Sequence, residues 1–253
     1  MLLPLGFFLG IGFFMAAFIA WRRLMVLGYK EEKIIDLVIL GSILSVVIGR
    51  LFYILQNYHQ FAFLPDRWLF WGRYPGFSFW GGLAGMYLAL FYFTRKEKWR
   101  FWQVADEMVY AILPLAVLVQ LGCFLNGASP GKATSYPWGI YFPGSLLKQQ
   151  PVSLFFSVLL FFLWLFLLRI ERQWRIWNWY KSKAEGFIVF VFWCFLFGFN
   201  FLLAFLRESR LYFYWVEISL SLLGFILVSG LFYRQSGRDL KEDLWRRKFP
   251  KTA

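Results

Sequence analysis

Histidine is nearly absent from this chain. A single His and two Cys in 253 residues leave no Cys/His cluster of the kind that holds zinc, so no metal site is expected. The one histidine, His59, has no carboxylate or Cys nearby in sequence and reads as a solvated loop residue rather than a base. Cys123 and Cys194 both fall in apolar stretches, read as small packing residues, and say nothing about redox compartment. Charge is also scarce: 16% of residues are charged and 60% hydrophobic, with 24% aromatic. Water-soluble domains carry about 25% charged residues. The balance excludes a soluble enzyme, a disordered chain and a disulfide scaffold, and points to an all-α polytopic membrane protein.

What the sequence has is long apolar runs. Seven segments are long enough to cross a bilayer as helices, near 2–20, 34–55, 77–93, 104–125, 152–168, 186–206 and 211–232. The first has no basic leader and no small-residue cleavage site, so it reads as a span rather than a signal peptide. The net charge of +13 is distributed by side, and this argues for membrane topology rather than nucleic-acid binding. Segments 22–33, 94–101, 169–185 and 233–253 carry 4, 4, 5 and 7 basic residues, whereas 56–76, 126–151 and 207–210 carry 2 each. This asymmetry places the N-terminus outside and the C-terminus in the cytoplasm. Trp99, Trp102, Trp174, Trp177, Trp179 and Tyr180 on one side, and Trp68, Trp71, Tyr136 and Trp138 on the other, are expected as interface anchors.

The expected organisation is one seven-helix domain, 1–233, with outer loops 56–76 and 126–151 and a basic cytoplasmic tail, 234–253, suited to anionic lipid. Loop 56–76 carries Phe61, Phe63, Leu64, Trp68, Phe70 and Trp71, enough apolar surface to lie in the outer interface. Loop 126–151, rich in Gly, Pro and Ser, is expected to fold over the bundle.

Polar groups inside spans are costly and each calls for a reason. With the orientation above, Arg50, Ser78, Trp80, Gln120, Cys123, Asn126, Gly127, Arg207 and Glu217 converge on the outer leaflet. Gln120, Cys123, Asn126 and Gly127 would share a helix face of about 120°. Structural alternatives stand beside the functional ones: Arg50 snorkelling or pairing with Glu217, Arg207 snorkelling, and Asn126 with Gly127 capping a helix. Asp36, Asp106 and Glu107 lie at the opposite side and read as helix-start residues stabilised by the N-terminal dipole. Arginine and amide groups at one leaflet suit an anionic phospholipid head group, since guanidinium matches phosphate oxygens in pairs of hydrogen bonds. A lipid-using enzyme, a transporter and a lipid-stabilised scaffold all meet that description.

The residues then resemble a known family, prolipoprotein diacylglyceryl transferase. Phe77-Ser78-Phe79-Trp80-Gly81-Gly82-Leu83-Ala84-Gly85 is similar to its Ser-Phe-His-Gly-Gly-Leu-x-Gly motif. Gly122-Cys123-Phe124-Leu125-Asn126-Gly127, followed by Gly131 and Pro137-Trp138-Gly139, resembles its Gly-Arg-x-Gly-Asn-Phe-x-Asn-Gly-Glu segment and the loop after it. Gly49-Arg50, Asp106, Pro114 and Phe205-Leu206-Arg207 match in order. The resemblance implies transfer of a diacylglyceryl group from phosphatidylglycerol to the lipobox cysteine of a prolipoprotein, at the outer face of the bacterial inner membrane, with no cofactor. It implies catalytic roles for Arg207 and Asn126. Arg50, Ser78, Trp80, Gly81, Gly82, Gln120, Cys123, Gly127 and Gly131 would line the substrate site.

The chain departs from the family pattern at its ionisable positions. The motif His is Trp80, the Arg is Gln120, the first Asn is Cys123 and the Glu is Ala128. The later His-Pro-Ser-Gln motif begins at Gln150, and the sixth-span Arg and Glu are Asn200 and Ala204. Trp80 takes no proton, so the thiol would need another base, such as Glu217. The alternatives to an active transferase are a relative that binds anionic lipid or precursor without reacting, and a transferase with another acceptor or donor. In the last, Cys123 is the candidate nucleophile.

Overall fold

The computed structural model describes residues 3–61, 68, 76–208 and 211–238. The side chain of His59, loop residues Phe63, Leu64, Phe70 and Trp71, and the tail beyond 238 lie outside the described residues. Among the described residues seven long helices follow one another: α1 (Leu3–Val26), α2 (Glu31–Gln56), α3 (Phe79–Lys96), α4 (Phe101–Leu125), α5 (Val152–Ile170), α6 (Phe187–Ala204) and α7 (Leu211–Gln235). A single helical turn, Tyr58–Phe61, follows α2. Six of the seven are long and apolar enough to cross a membrane. The exception is α3, whose 18 residues include three glycines and end on Arg95 and Lys96. The chain is a multi-pass, all-α membrane protein. Large apolar side chains such as Phe14, Leu220 and Leu231 stand exposed on its helices, as lipid-facing residues do.

The chain divides into two compact units, Ala20–Ala105, and Met1–Ile19 with Asp106–Ala253. In the first, α2 and α3 lie backbone to backbone. A Cβ on Gly81 would sit 2.8 Å from the Ile48 carbonyl oxygen, and one on Gly85 only 2.3 Å from that of Leu44. Glycines four residues apart let two helices approach this closely. At the far end of α3, Tyr29 stacks on Trp99 with centroids 4.2 Å apart, and Lys33 pairs with Glu97 at 3.1 Å.

In the second unit, α6 is the buried helix and α7 packs along it. The start of α6 is held by Asp106, whose carboxylate accepts from the backbone N–H groups of Gly186 (2.7 Å) and Val189 (2.9 Å). Asp106 was expected to serve its own helix. It lies one turn inside α4 and caps α6 instead, because the residue at the α6 N-cap is Gly186, which has no side chain to do so.

The segment between α5 and α6 carries a second correction. Trp174 and Tyr180, expected as interface anchors, are buried. Trp174 stacks on Phe187 at 4.9 Å, Tyr180 meets Phe187 edge-on at 5.0 Å, and Phe232 of α7 closes the cluster. The Tyr180 hydroxyl donates to the Ala184 carbonyl, and burial raises the phenol above its ordinary value. Trp177 and Trp179 remain exposed at the edge of this cluster.

Candidate functional site

The expected site residues divide between the two units, and each group stands by itself. In the Ala20–Ala105 unit, the buried Arg50 guanidinium donates to the carbonyl oxygens of Gly76 (2.9 Å) and Trp68 (3.3 Å). It also lies 5.0 Å from the Phe61 ring centroid and 5.9 Å from that of Tyr53. Arg50 thus ties the chain after α2 back onto its own helix. Ser78 caps α3, accepting from Gly81 N–H, while its own N–H donates to Gly49 C=O at 3.0 Å. Gly81 serves helix contact, since its missing Cβ faces the backbone of α2. Gly82 is less confined, with Ser45 O at 3.8 Å from where its Cβ would be. Trp80, half-buried, meets Phe79 edge-on at 5.9 Å.

In the other unit, Gln120 and Cys123 lie half-buried on one face of α4, and Cys123 is a free thiol. The expected face does not extend to Asn126 and Gly127, because α4 ends at Leu125. Gly127 takes φ +69°, its N–H bonds to Phe124 O (3.0 Å), and Ala128 N–H bonds to Cys123 O (2.9 Å). This is the double hydrogen bond of a glycine-terminated helix. The Asn126 side-chain oxygen is buried without a hydrogen-bond partner among the described residues.

Loop 126–151 is folded. A short ladder pairs Ile140 with Gln149 and Tyr141 with Lys148, and Ala133 bridges to Gln149. Gln150, at the position of the family's second motif His, is buried with its amide fully engaged. It accepts from Trp138 Nε1–H (2.9 Å) and donates to Thr134 Oγ1 (3.0 Å). Gly131 bridges to Arg207, and a Cβ there would meet the Leu206 carbonyl oxygen at 2.6 Å. The loop is therefore joined to the end of α6.

At that junction Arg207 enters a polar network that sequence reasoning had resolved only in pieces. Its guanidinium forms an ion pair with Glu217 of α7 and donates to Asn200 Oδ1 at 3.1 Å. Asn200 Nδ2 donates to Ser221 Oγ (2.7 Å), whose hydroxyl donates to the Glu217 carbonyl (2.7 Å). Asn200 was noted in the sequence only as the replacement of the family's sixth-span Arg, and Ser221 went unnoticed because it is not ionisable. Two polar residues in otherwise apolar spans were the available signal. Among the described residues no group of three His, Cys, Asp or Glu is placed to hold a metal.

The geometry can be set beside known proteins. The model of the family described as prolipoprotein diacylglyceryl transferase matches residues 4–234. The phosphatidylglycerol–prolipoprotein diacylglyceryl transferase of Aeromonas salmonicida (strain A449) is 34% identical over 216 residues, covering 83% of this chain and 75% of that one. The protein of the same name from Clostridioides difficile (strain 630) is 27% identical over 185 residues, covering 73% and 70%. With the match running from α1 through α7, this chain belongs to the prolipoprotein diacylglyceryl transferase family.

Proposed function

We propose that this chain transfers a diacylglyceryl group from phosphatidylglycerol to the lipobox cysteine of a prolipoprotein, at the outer face of the bacterial inner membrane. Family membership along nearly the whole chain carries the reading. The thiol gives up its proton to water or to a base such as Glu217, the sulfur forms a bond to the glycerol carbon that bears the phosphate, and the C–O bond breaks with glycerol phosphate leaving. No electrons are exchanged and no cofactor is used. The leaving phosphate needs cationic or hydrogen-bonding groups that hold its developing charge. Arg207 supplies a guanidinium, and Asn126 a buried acceptor suited to a head-group hydroxyl. Gln120 and Cys123 line the same stretch of α4. Ser78, Gly81, Gly82, Gly127 and Gly131 act through the backbone they shape. Arg50 acts by holding the chain that follows α2.

A second reading is a relative that binds lipid or precursor without transferring. It is favoured by two replaced positions and by the pairing of Arg207. Trp80 takes no proton, Gln150 is engaged within its loop, and Arg207 already faces a carboxylate. The experiment is incubation of the purified protein with phosphatidylglycerol and a lipobox peptide, followed by mass analysis of the peptide. A diacylglyceryl mass on the cysteine, lost in Arg207→Ala, is the expected result. A folded, lipid-retaining protein that never yields this mass would leave the non-transferring reading standing.

A further inference from the structure

The network around Arg207 has a property that its pairing alone does not explain. The guanidinium is oriented by a neutral group: the buried Asn200 amide accepts from it and is itself fixed by Ser221. Its partner Glu217 is held less completely. The side chains of Arg207 and Glu217 are 28% and 25% exposed, so the pair is open on one side. A second cation, Lys132, comes from the loop joined to the end of α6. Lys132 N–H donates to the Leu206 carbonyl at 2.8 Å, and the Lys132 ammonium lies 4.7 Å from the ring of Tyr214, one helical turn before Glu217. The neighbouring Glu208 is exposed and accepts from the Gln149 amide. Arg207, Lys132, Glu208 and Glu217 therefore gather where loop 126–151 meets the end of α6 and the start of α7, with the arginine held by Asn200 as well as by the carboxylate of Glu217.

We infer that Glu217 is a built-in stand-in for a phosphate group. A phosphate displaces it from Arg207, and Lys132 completes the site. Carboxylate and phosphate present the same paired oxygens to a guanidinium, so one substitutes for the other without Arg207 moving. The exchange is favourable because a phosphate brings more negative charge to Arg207 than the carboxylate it replaces, and Lys132 is near enough in the fold to share it. This rests on the reading that gives Arg207 to phosphate, and goes further by naming Lys132 as a ligand and Glu217 as an internal competitor. The phosphate belongs either to the lipid head group or to the glycerol phosphate released from it.

The test is retention of phosphatidylglycerol by the purified full chain in micelles of phosphatidylglycerol and phosphatidylcholine, compared across variants that melt near the parent. An exposed charge pair is worth about 0.4–1 kcal/mol, so Glu217→Gln raises retention roughly two- to fivefold and Lys132→Gln lowers it by a similar factor. Lys132 is exposed, and its variant tests the site even if Glu217→Gln fails to fold. Retention unchanged in Lys132→Gln, or equal or lower in Glu217→Gln, overturns the inference. Full retention in Arg207→Ala instead removes the phosphate role of Arg207 itself, while the peptide mass assay judges transfer separately. Displacement of bound lipid by added glycerol phosphate assigns the site to the released phosphate. Resistance to it assigns the site to the head group, and either result supports the exchange.

Discussion

Asp106 shows how one residue can set the start of a helix to which it does not belong. Two backbone N–H groups at the beginning of α6 point at its two carboxylate oxygens, at 2.7 and 2.9 Å, in a buried setting. Hydrogen bonds to a charged group and an N-cap interaction each contribute on the order of 1–3 kcal/mol. Asp106→Ala should therefore destabilise the protein by about 2–3 kcal/mol, and Asp106→Asn, which keeps one acceptor, by less. For a chain of this size that lowers the unfolding midpoint by roughly 4–12 °C, readable by thermal unfolding in detergent. An unchanged midpoint in Asp106→Ala would remove the capping role. A structural role was legible in the sequence, because a carboxylate near a helix start has an evident partner in the helix dipole. Which helix it served was not legible, because Asp106 and Gly186 are 80 residues apart. Glu217 has the same history. As a lone carboxylate in an apolar span it invited the roles of base or partner to Arg50, and the fold pairs it with Arg207.

At the scale of elements, the Gly-Gly motif at the start of α3 separates into two functions. Gly81 and Gly85 press against α2, and Gly82 meets it with room to spare. A methyl on Gly85 would lie 2.3 Å from Leu44 O and 2.8 Å from Ser45 Cα, so the helices must move apart to accept it. Overpacking of this kind costs about 1–3 kcal/mol. At Gly82 the corresponding atom meets only Ser45 O at 3.8 Å, and the better helix propensity of Ala offsets any loss, by up to about 1 kcal/mol. Gly85→Ala is thus expected to lower thermal stability and Gly82→Ala to leave it unchanged or raise it, measured side by side in one detergent. Equal losses at both would mean that the motif is not a helix contact. The seven helices themselves were legible, because a span must be a continuous apolar run. The fold of loop 126–151 was not. Gly131 is required because the Leu206 carbonyl passes over it, a contact made from 75 residues away that leaves no local periodicity. The burial of Trp174 and Tyr180 escaped for a related reason, since a Trp- and Tyr-rich segment has the same composition in an aromatic core as at a lipid interface.

At the scale of the whole molecule, sidedness follows from two independent lines. Within the larger unit, Lys132 and Gly131 are bonded to Leu206 and Arg207, which puts the end of α4, the start of α5 and the end of α6 on one side. Ser182 N–H donates to Ser236 O, and Arg238 donates to Trp179 O at 3.0 Å, which puts the segment between α5 and α6 with the end of α7 on the other. Helix connectivity gives these relative positions but not their absolute direction. Charge gives that. The segments 169–185 and 233–253 carry 5 and 7 basic residues, and loop 126–151 carries 2. Lys and Arg near span ends are retained in the cytoplasm, so the face bearing Lys132 and Arg207 is expected to be the outer one. The prediction uses a background with Cys123→Ala and Cys194→Ala. A cysteine at the fully exposed loop position, Leu146→Cys, should react with a membrane-impermeant maleimide in intact spheroplasts, and Lys181→Cys only after lysis. The reverse pattern would place Arg207 and its phosphate site on the cytoplasmic face. A prolipoprotein cysteine presented at the outer leaflet could not reach it there, and the proposed transfer would fall with the orientation.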